Sequence, residues 1–363
     1  MDILKQFSKE YSLFAAILTF AGIGYFEHTL VESIAGNLIG LGILFAVIMY
    51  AAMAVAHHAE MLAEKFGEPY GTLILTMSAV IVEIVIIVIM MMHAENPELA
   101  RDTIYSAIML DINGLLGVAA IIGGLKHGEQ PYNVDSSNSY LSMLLVAIGV
   151  AMVLPEFIEP VYHQRFMMFN VVVFIVLYTI FTRVQLKSHK YFFEYKAEKK
   201  AACIEEGTCH PHGEINAWYH AFNLVVSIVV IGVLAEMLSV FMGNTLVTFG
   251  LPLAIGAVGV AVISAAPELI TAVRAAVDNR MQTVINIALG ASLATVLLTI
   301  PAVIVVSYLL GLELNLSLTP VQTMMISLTL LVSMVNFNDG ETNILEGFLH
   351  VVLFVVFAFL LFV

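Results

Sequence analysis

The stretch Met77-Ser-Ala-Val-Ile-Val-Glu-Ile-Val-Ile-Ile87 holds one ionisable residue, Glu83, inside an otherwise apolar run from about Gly71 to Met92. A membrane-spanning helix takes ~20 apolar residues, so this run is long enough to cross a bilayer with a carboxylate near its middle. A second stretch, Ile263-Ser-Ala-Ala-Pro-Glu-Leu-Ile270, repeats the arrangement around Glu268. Gly71 lies twelve residues before Glu83 and Gly256 twelve before Glu268, so both pairs are offset by 185.

The rest of the chain has the same character. Of its 363 residues, 60% are hydrophobic and 12% charged, against roughly 25% charged in an average soluble domain. Mean hydropathy is +0.96. The chain reads as an all-α integral membrane protein, with no room for a large soluble catalytic domain. Apolar runs between charged or Gly/Pro-rich breaks give eleven spans. They lie at about Tyr11–Phe26, Ile34–Ala56, Gly71–Met92, Thr103–Leu125, Tyr140–Pro155, Phe166–Thr182, Trp218–Phe241, Leu246–Ala276, Met281–Leu310, Pro320–Asn336 and Asn343–Val363. The first has a lysine-bearing start (Lys5, Lys9) like a signal peptide. With ten more spans behind it and no A-x-A-like site, it reads as an uncleaved helix.

Basic residues set the expected direction. With the N-terminus in the cytoplasm, inside segments hold Lys5, Lys9, Lys65, Lys126, Arg183, Lys187, Lys190, Lys196, Lys199, Lys200, Arg274 and Arg280. Outside segments hold Arg101 and Arg165, which completes the 14 basic residues. The expected location is the inner (plasma) membrane, with the C-terminus outside. A net charge of −14 excludes nucleic acid as a partner, since phosphate binding needs basic clusters. Composition leaves a homo-oligomer open.

Residues 185–216 form the one sizeable polar stretch. They separate a leading helix (1–35) and a first half (36–184) from a second half (217–363) of almost equal length. Five spans per half is an odd number, so the second half enters the bilayer from the opposite face. Inverted repeats of this kind are a signature of secondary transporters, with the site at the midplane between them.

An intramembrane carboxylate costs ~2.5–3.5 kcal/mol on insertion scales. It persists where it faces a partner, a wet cavity or an ion path. Glu83 and Glu268, one in each half, suit a hard cation such as Ca²⁺. Protonation removes both their charge and their ligand field, so cation and proton can occupy them alternately, which is the physical basis of antiport. Pro267 removes a backbone donor and is expected to free a carbonyl near Ile263. Ser78, Asp111, Asn113, Ser264, Asn286 and Ser292 lie in spans expected to flank the site, and Glu236 in the seventh span suits helix pairing as well as transport.

These residues resemble the cation/proton exchanger family of the calcium/cation antiporter superfamily, in its bacterial calcium/sodium-proton branch. Gly67-Glu-Pro-Tyr-Gly71 with Leu73-Ile-Leu and Glu83 looks like the first repeat. Pro267-Glu268 stands where the second repeat has its acid. Asp339-Gly-Glu-Thr-Asn-Ile-Leu-Glu-Gly347 looks like the Asp-Gly-x-Ser-Asn-Trp-Leu-Glu-Gly motif before the last helix. The resemblance covers essentially the whole chain. It implies that Glu83 and Glu268 bind the transported cation and that Glu60 stands near the cytoplasmic end of the second span. It leaves Asp339 and Glu346 to a turn or an ion contact. Many members carry Gly-Asn-Ala-x-Glu in both repeats, whereas here the runs are Ala79-Val-Ile-Val-Glu83 and Ser264-Ala-Ala-Pro-Glu268, and the histidine that often follows is Leu269. Asparagine ligands at those positions are therefore absent, and Na⁺ or K⁺ competes with Ca²⁺ as the expected cargo.

Two further clusters invite other chemistry. Cys203, Glu205, Glu206, Cys209, His210, His212 and Glu214 could hold a transition metal, but their spacing fits no standard zinc pattern and reads as a solvated linker. His57-His58-Ala-Glu60 suggests a metalloenzyme, yet neighbouring histidines point to different helix faces. A capping or mouth-lining role fits them better. No Gly-rich phosphate cradle is present, so ATP drive is not expected, and neither is a cofactor beyond the transported ion. The reading is therefore a Ca²⁺/H⁺ antiporter working by alternating access, with an Na⁺(K⁺)/H⁺ antiporter as the alternative. A passive channel and an intramembrane metalloenzyme stand further off.

Overall fold

The computed structural model describes residues 10–66, 70–94, 96–185 and 215–362. Lys5 and Lys9, residues 67–69 of the first motif and the Cys/His tract lie outside them. Eleven long helices follow one another: α1 (Tyr11–Glu32), α2 (Ile34–Phe66), α3 (Tyr70–Ala94), α4 (Leu99–His127), α5 (Val134–Phe157), α6 (Pro160–Arg183), α7 (Ala217–Phe249), α8 (Leu253–Val277), α9 (Met281–Leu310), α10 (Pro320–Asn336) and α11 (Ile344–Leu360). Among the described residues nine are long and apolar enough to span a membrane, and α10 and α11 are shorter apolar helices. The chain is a multi-pass, all-helical membrane protein.

Helices form here because a chain in hydrocarbon must satisfy every backbone N–H and C=O within itself. Their ends follow local chemistry. Thr319 builds a capping box with Gln322 at the start of α10, and the side chain of Asn343 accepts from the backbone N–H of Leu345 and Glu346 at the start of α11. The eighth helix begins at Leu253, not at Leu246 as expected, because α7 continues to Phe249. Gly250 stops it in the left-handed conformation (φ 61°), which glycine adopts without strain, and Pro252 caps the next helix. Hydropathy does not register that turn, since both sides of it are equally apolar.

Loops expected on one side of the membrane meet one another. On the basic side, β1 (Gln130–Pro131), between α4 and α5, pairs antiparallel with β2 (Glu341–Thr342), between α10 and α11. Gln130 Nε2 donates to Ala276 O (3.0 Å) and Asn279 Oδ1 (2.9 Å), just past α8. Lys65 Nζ donates to Ile215 O, and Tyr219 donates its hydroxyl to Glu10. On the other side, Asn315 N donates to Pro97 O (2.8 Å) and Leu318 N to Met152 O (2.7 Å). Buried Arg101 donates there to Asp102 Oδ1 (2.9 Å) and Ser317 O (3.2 Å). A missed or extra span would put these partners on opposite faces.

Two helices at the centre are irregular. α4 carries a π turn at Leu110–Leu115 and α9 one at Thr295–Thr299. Their first residues are 185 apart, the offset already seen for the two glycine–glutamate pairs. A third π turn, Gly149–Val153, lies in α5. Such turns shift the helical register and frequently mark functional sites.

Candidate functional site

A cavity of ≈ 500 Å³ opens between α2, α3, α4, α5, α6, α8 and α9. Its lining residues come from the middle of each helix or from the half nearest the basic loops. Glu60 and Thr271, both exposed, stand at the mouth; Glu83, Glu268 and Asp111 stand at depth. Beyond them the interior is apolar: Ile86, Ile87, Ile104, Ile108, Ile300 and Val303 are all buried. Among the described residues, the exposed lining of the cavity lies toward the basic-side face.

Glu83 is 4% exposed. Its Oε2 accepts from Thr299 Oγ1 (2.7 Å) and Thr295 Oγ1 (3.0 Å), both on the π turn of α9. Its Oε1 is buried with no hydrogen-bond partner among the described residues, and the same is true of Glu268 Oε2. Asp111, on the π turn of α4, accepts from Ser292 Oγ at 3.1 Å through Oδ2. The three carboxyl groups are close enough for their charges to interact. Buried polar atoms in native proteins are nearly always paired, so two orphaned carboxylate oxygens over one cavity call for a donor or a cation.

The expected residues divide. Ser78, Ser264 and Asn286 line the cavity with Glu60. Both serines satisfy their own helices, Ser78 Oγ donating to Ile74 O (2.7 Å) and Ser264 Oγ to Ala261 O (3.0 Å). Ser292 meets the site through Asp111. Asn113 faces elsewhere: it donates to Thr329 Oγ1 (2.8 Å) and its Oδ1 lies 3.0 Å from His350 Nδ1, in a polar knot between α4, α10 and α11. Helix α8 runs through Pro267 unbroken. Glu236 is away from the cavity, 3.6 Å from His93. His58 is buried with its Nδ1 3.0 Å from that of His220, which ties α2 to α7. In the last motif, Asp339 Oδ1 accepts from Glu341 N (3.1 Å) and Asn343 Nδ2 donates to Glu346 Oε1 (2.9 Å), so these acids build a turn and a cap.

Thr295 and Thr299 escaped the sequence reading, as did the wall of Tyr140, Tyr178, Phe181 and Gln185. The threonines had a signal: Ser292, Thr295 and Thr299 stand at i, i+3 and i+7, one polar stripe on an apolar helix. A Thr299→Val exchange keeps the shape and removes one donor to Glu83. Hydrogen bonds to charged groups contribute ~1.5–3 kcal/mol, so the apparent cation affinity should fall at least about tenfold. A titration of the cation dependence of flux checks it.

The helical bundle and its acidic cavity define a polytopic membrane transporter. Residues 36–187 and 219–363 match the sodium/calcium exchanger protein family, and the chain belongs to that family. It is thus a transporter and not an enzyme, with ions as substrates rather than a bound cofactor. The Sinorhizobium fredii protein y4hA, named for ionic transport, is 34% identical over 317 residues, 85% of each chain. The sodium-potassium/proton antiporter ChaA of Escherichia coli is 29% identical over 99% of this chain and 98% of its own. The crystal structure of the Ca²⁺/H⁺ antiporter YfkE has the same fold, with a TM-score of 0.73 at 18% identity over 96% of this chain and 99% of that one.

Proposed function

We propose that this chain exports Ca²⁺ in exchange for H⁺ by alternating access, with Glu83 and Glu268 binding the cation when deprotonated and protons otherwise. The observation that carries this reading is the pair of orphaned carboxylate oxygens at the deep end of a cavity whose exposed lining lies toward one face. Two carboxylates with hydroxyl neighbours match a hard divalent cation in charge and donor type. A buried anion pair is stable only when neutralised, so the site empties of one species by taking the other.

The halves 36–184 and 217–363 are inverted repeats in this reading, and residues 1–35 and 185–216 form the leading helix and a cytoplasmic loop. The 185-residue offset of glutamates and π turns supports the repeats. The basic-side loops then face the cytoplasm, and the cavity is open to the inside of an inner-membrane protein.

A second reading, Na⁺(K⁺)/H⁺ exchange on the same scaffold, is favoured by the absence of asparagine from the runs before Glu83 and Glu268 and by the sodium-potassium/proton antiport for which ChaA is named. Proton flux in everted vesicles, followed with a pH-sensitive dye, separates the two. Ca²⁺ should collapse an acid-inside gradient; a response confined to Na⁺ or K⁺ would establish the second reading instead. Silence to all three cations would overturn both. Uphill cation movement driven by an imposed proton gradient excludes a passive channel.

A further inference from the structure

The cavity is larger and less polar than an inorganic ion requires. At ≈ 500 Å³ it has room for about fifteen waters, while an ion occupies only the acidic end. Between the polar groups the wall carries the aliphatic side chains of Val55, Leu75, Val80, Val82 and Ile287 and several alanines, which neither coordinate a metal nor hold water well. One side is aromatic. Tyr140 and Phe181 lie 5.5 Å apart between ring centres, and Phe181 and Tyr178 6.5 Å. Gln185 Nε2 donates to the Tyr140 hydroxyl (3.2 Å), fixing that ring at the cavity side.

We infer that the cavity is also a binding site for lipophilic organic cations, arylalkyl ammonium ions in particular. The ammonium head would sit against the unpartnered oxygens of Glu83 and Glu268. The apolar body would lie along the aromatic wall of α5 and α6. Three features meet there: fixed negative charge at the deep end, an apolar lining that gains from shedding water, and aromatic faces that attract cations. Ligand pockets of ~300–1,000 Å³ with a few convergent polar groups have this character. The organic cation and the inorganic one share the glutamates, so each excludes the other. This inference rests on Glu83 and Glu268 being a cation site, and not on exchange itself.

The test is calorimetric titration of the purified full-length protein with 4-phenylbutylammonium, butylammonium and 4-phenylbutanol, then with Ca²⁺, Na⁺ and K⁺. Protein carrying both Glu83→Gln and Glu268→Gln sets the baseline for partition into detergent. Phenylbutylammonium should bind about tenfold tighter than either control, and Ca²⁺, Na⁺ or K⁺ should displace it. Phe181→Leu keeps an apolar side chain and removes the ring. It should weaken the aromatic amine about three- to fivefold more than it weakens butylammonium or Ca²⁺; Tyr178→Leu repeats the test should the first variant misfold. Equal binding of the neutral alcohol, or an amine signal that survives in the double glutamine protein, overturns the proposal. Amine binding without any inorganic cation binding upholds it and removes the exchange reading. The reverse pattern does the opposite.

Discussion

Vesicles carrying Glu83→Gln or Glu268→Gln are expected to keep their proton gradient when the transported cation is added, with exchange reduced at least about a hundredfold. Glutamine keeps the size of the side chain, and its amide oxygen can still accept from Thr295 and Thr299 at position 83. What disappears is the charge and the exchangeable proton. Removing one partner from a buried charge arrangement costs ~3–5 kcal/mol, which sets the size of the loss. Size-exclusion profiles matching wild type would show that the variants fold. Normal exchange by both variants would make the glutamates structural and end the mechanism. Loss in one variant alone would put the site on a single helix.

The largest effect on stability is expected at Gly347, where α11 crosses α4. A Cβ on Gly347 would stand 2.8 Å from Ile121 N and 2.9 Å from Gly117 O, both backbone atoms of α4. A Cβ on Gly117 would in turn stand 3.0 Å from Gly347 O. The two backbones touch, as small residues allow at membrane helix crossings. Gly347→Ala forces the helices apart, and overpacking of this kind costs ~1–3 kcal/mol. The protein should unfold at a lower temperature in detergent. Gly42→Ala is the control, because nothing lies within 4 Å of its Cβ position. Equal midpoints for the two variants would show that the crossing relaxes freely.

The spans were legible because crossing a bilayer fixes both the length and the polarity of a helix. Glu83 and Glu268 were legible for the same reason: a carboxylate in an apolar run is costly and needs a cause. Side-chain direction was legible too, but finer. Asp111 and Asn113 are two residues apart, and positions i and i+2 do not share a helix face. One therefore meets the cavity while the other bonds Thr329 and His350. The Ser292–Thr295–Thr299 stripe obeys the same periodicity, although the sequence reading found Ser292 alone. The aromatic wall was not legible, because the pairing of Tyr140 with Phe181 and Gln185 depends on how α5 packs on α6. Helix packing in lipid is decided by shape rather than by hydrophobicity, and a run of apolar residues does not encode which face meets which neighbour.

The short pairing of β1 with β2 has a mechanical consequence. It staples the α4–α5 hairpin to the α10–α11 hairpin, and Gln130 extends the staple to the end of α8. Gln282, at the start of α9, accepts from Asn133 N (2.7 Å) and donates to Ser136 Oγ (2.8 Å), which adds a sixth helix. Six helices are thus riveted at one end into a chassis. In the proposed alternating-access cycle, Glu268 then stays with the riveted α8, and the motion that changes which side it faces falls on the helices with no such rivet among the described residues, α1, α2, α3, α6 and α7, or else breaks the rivet.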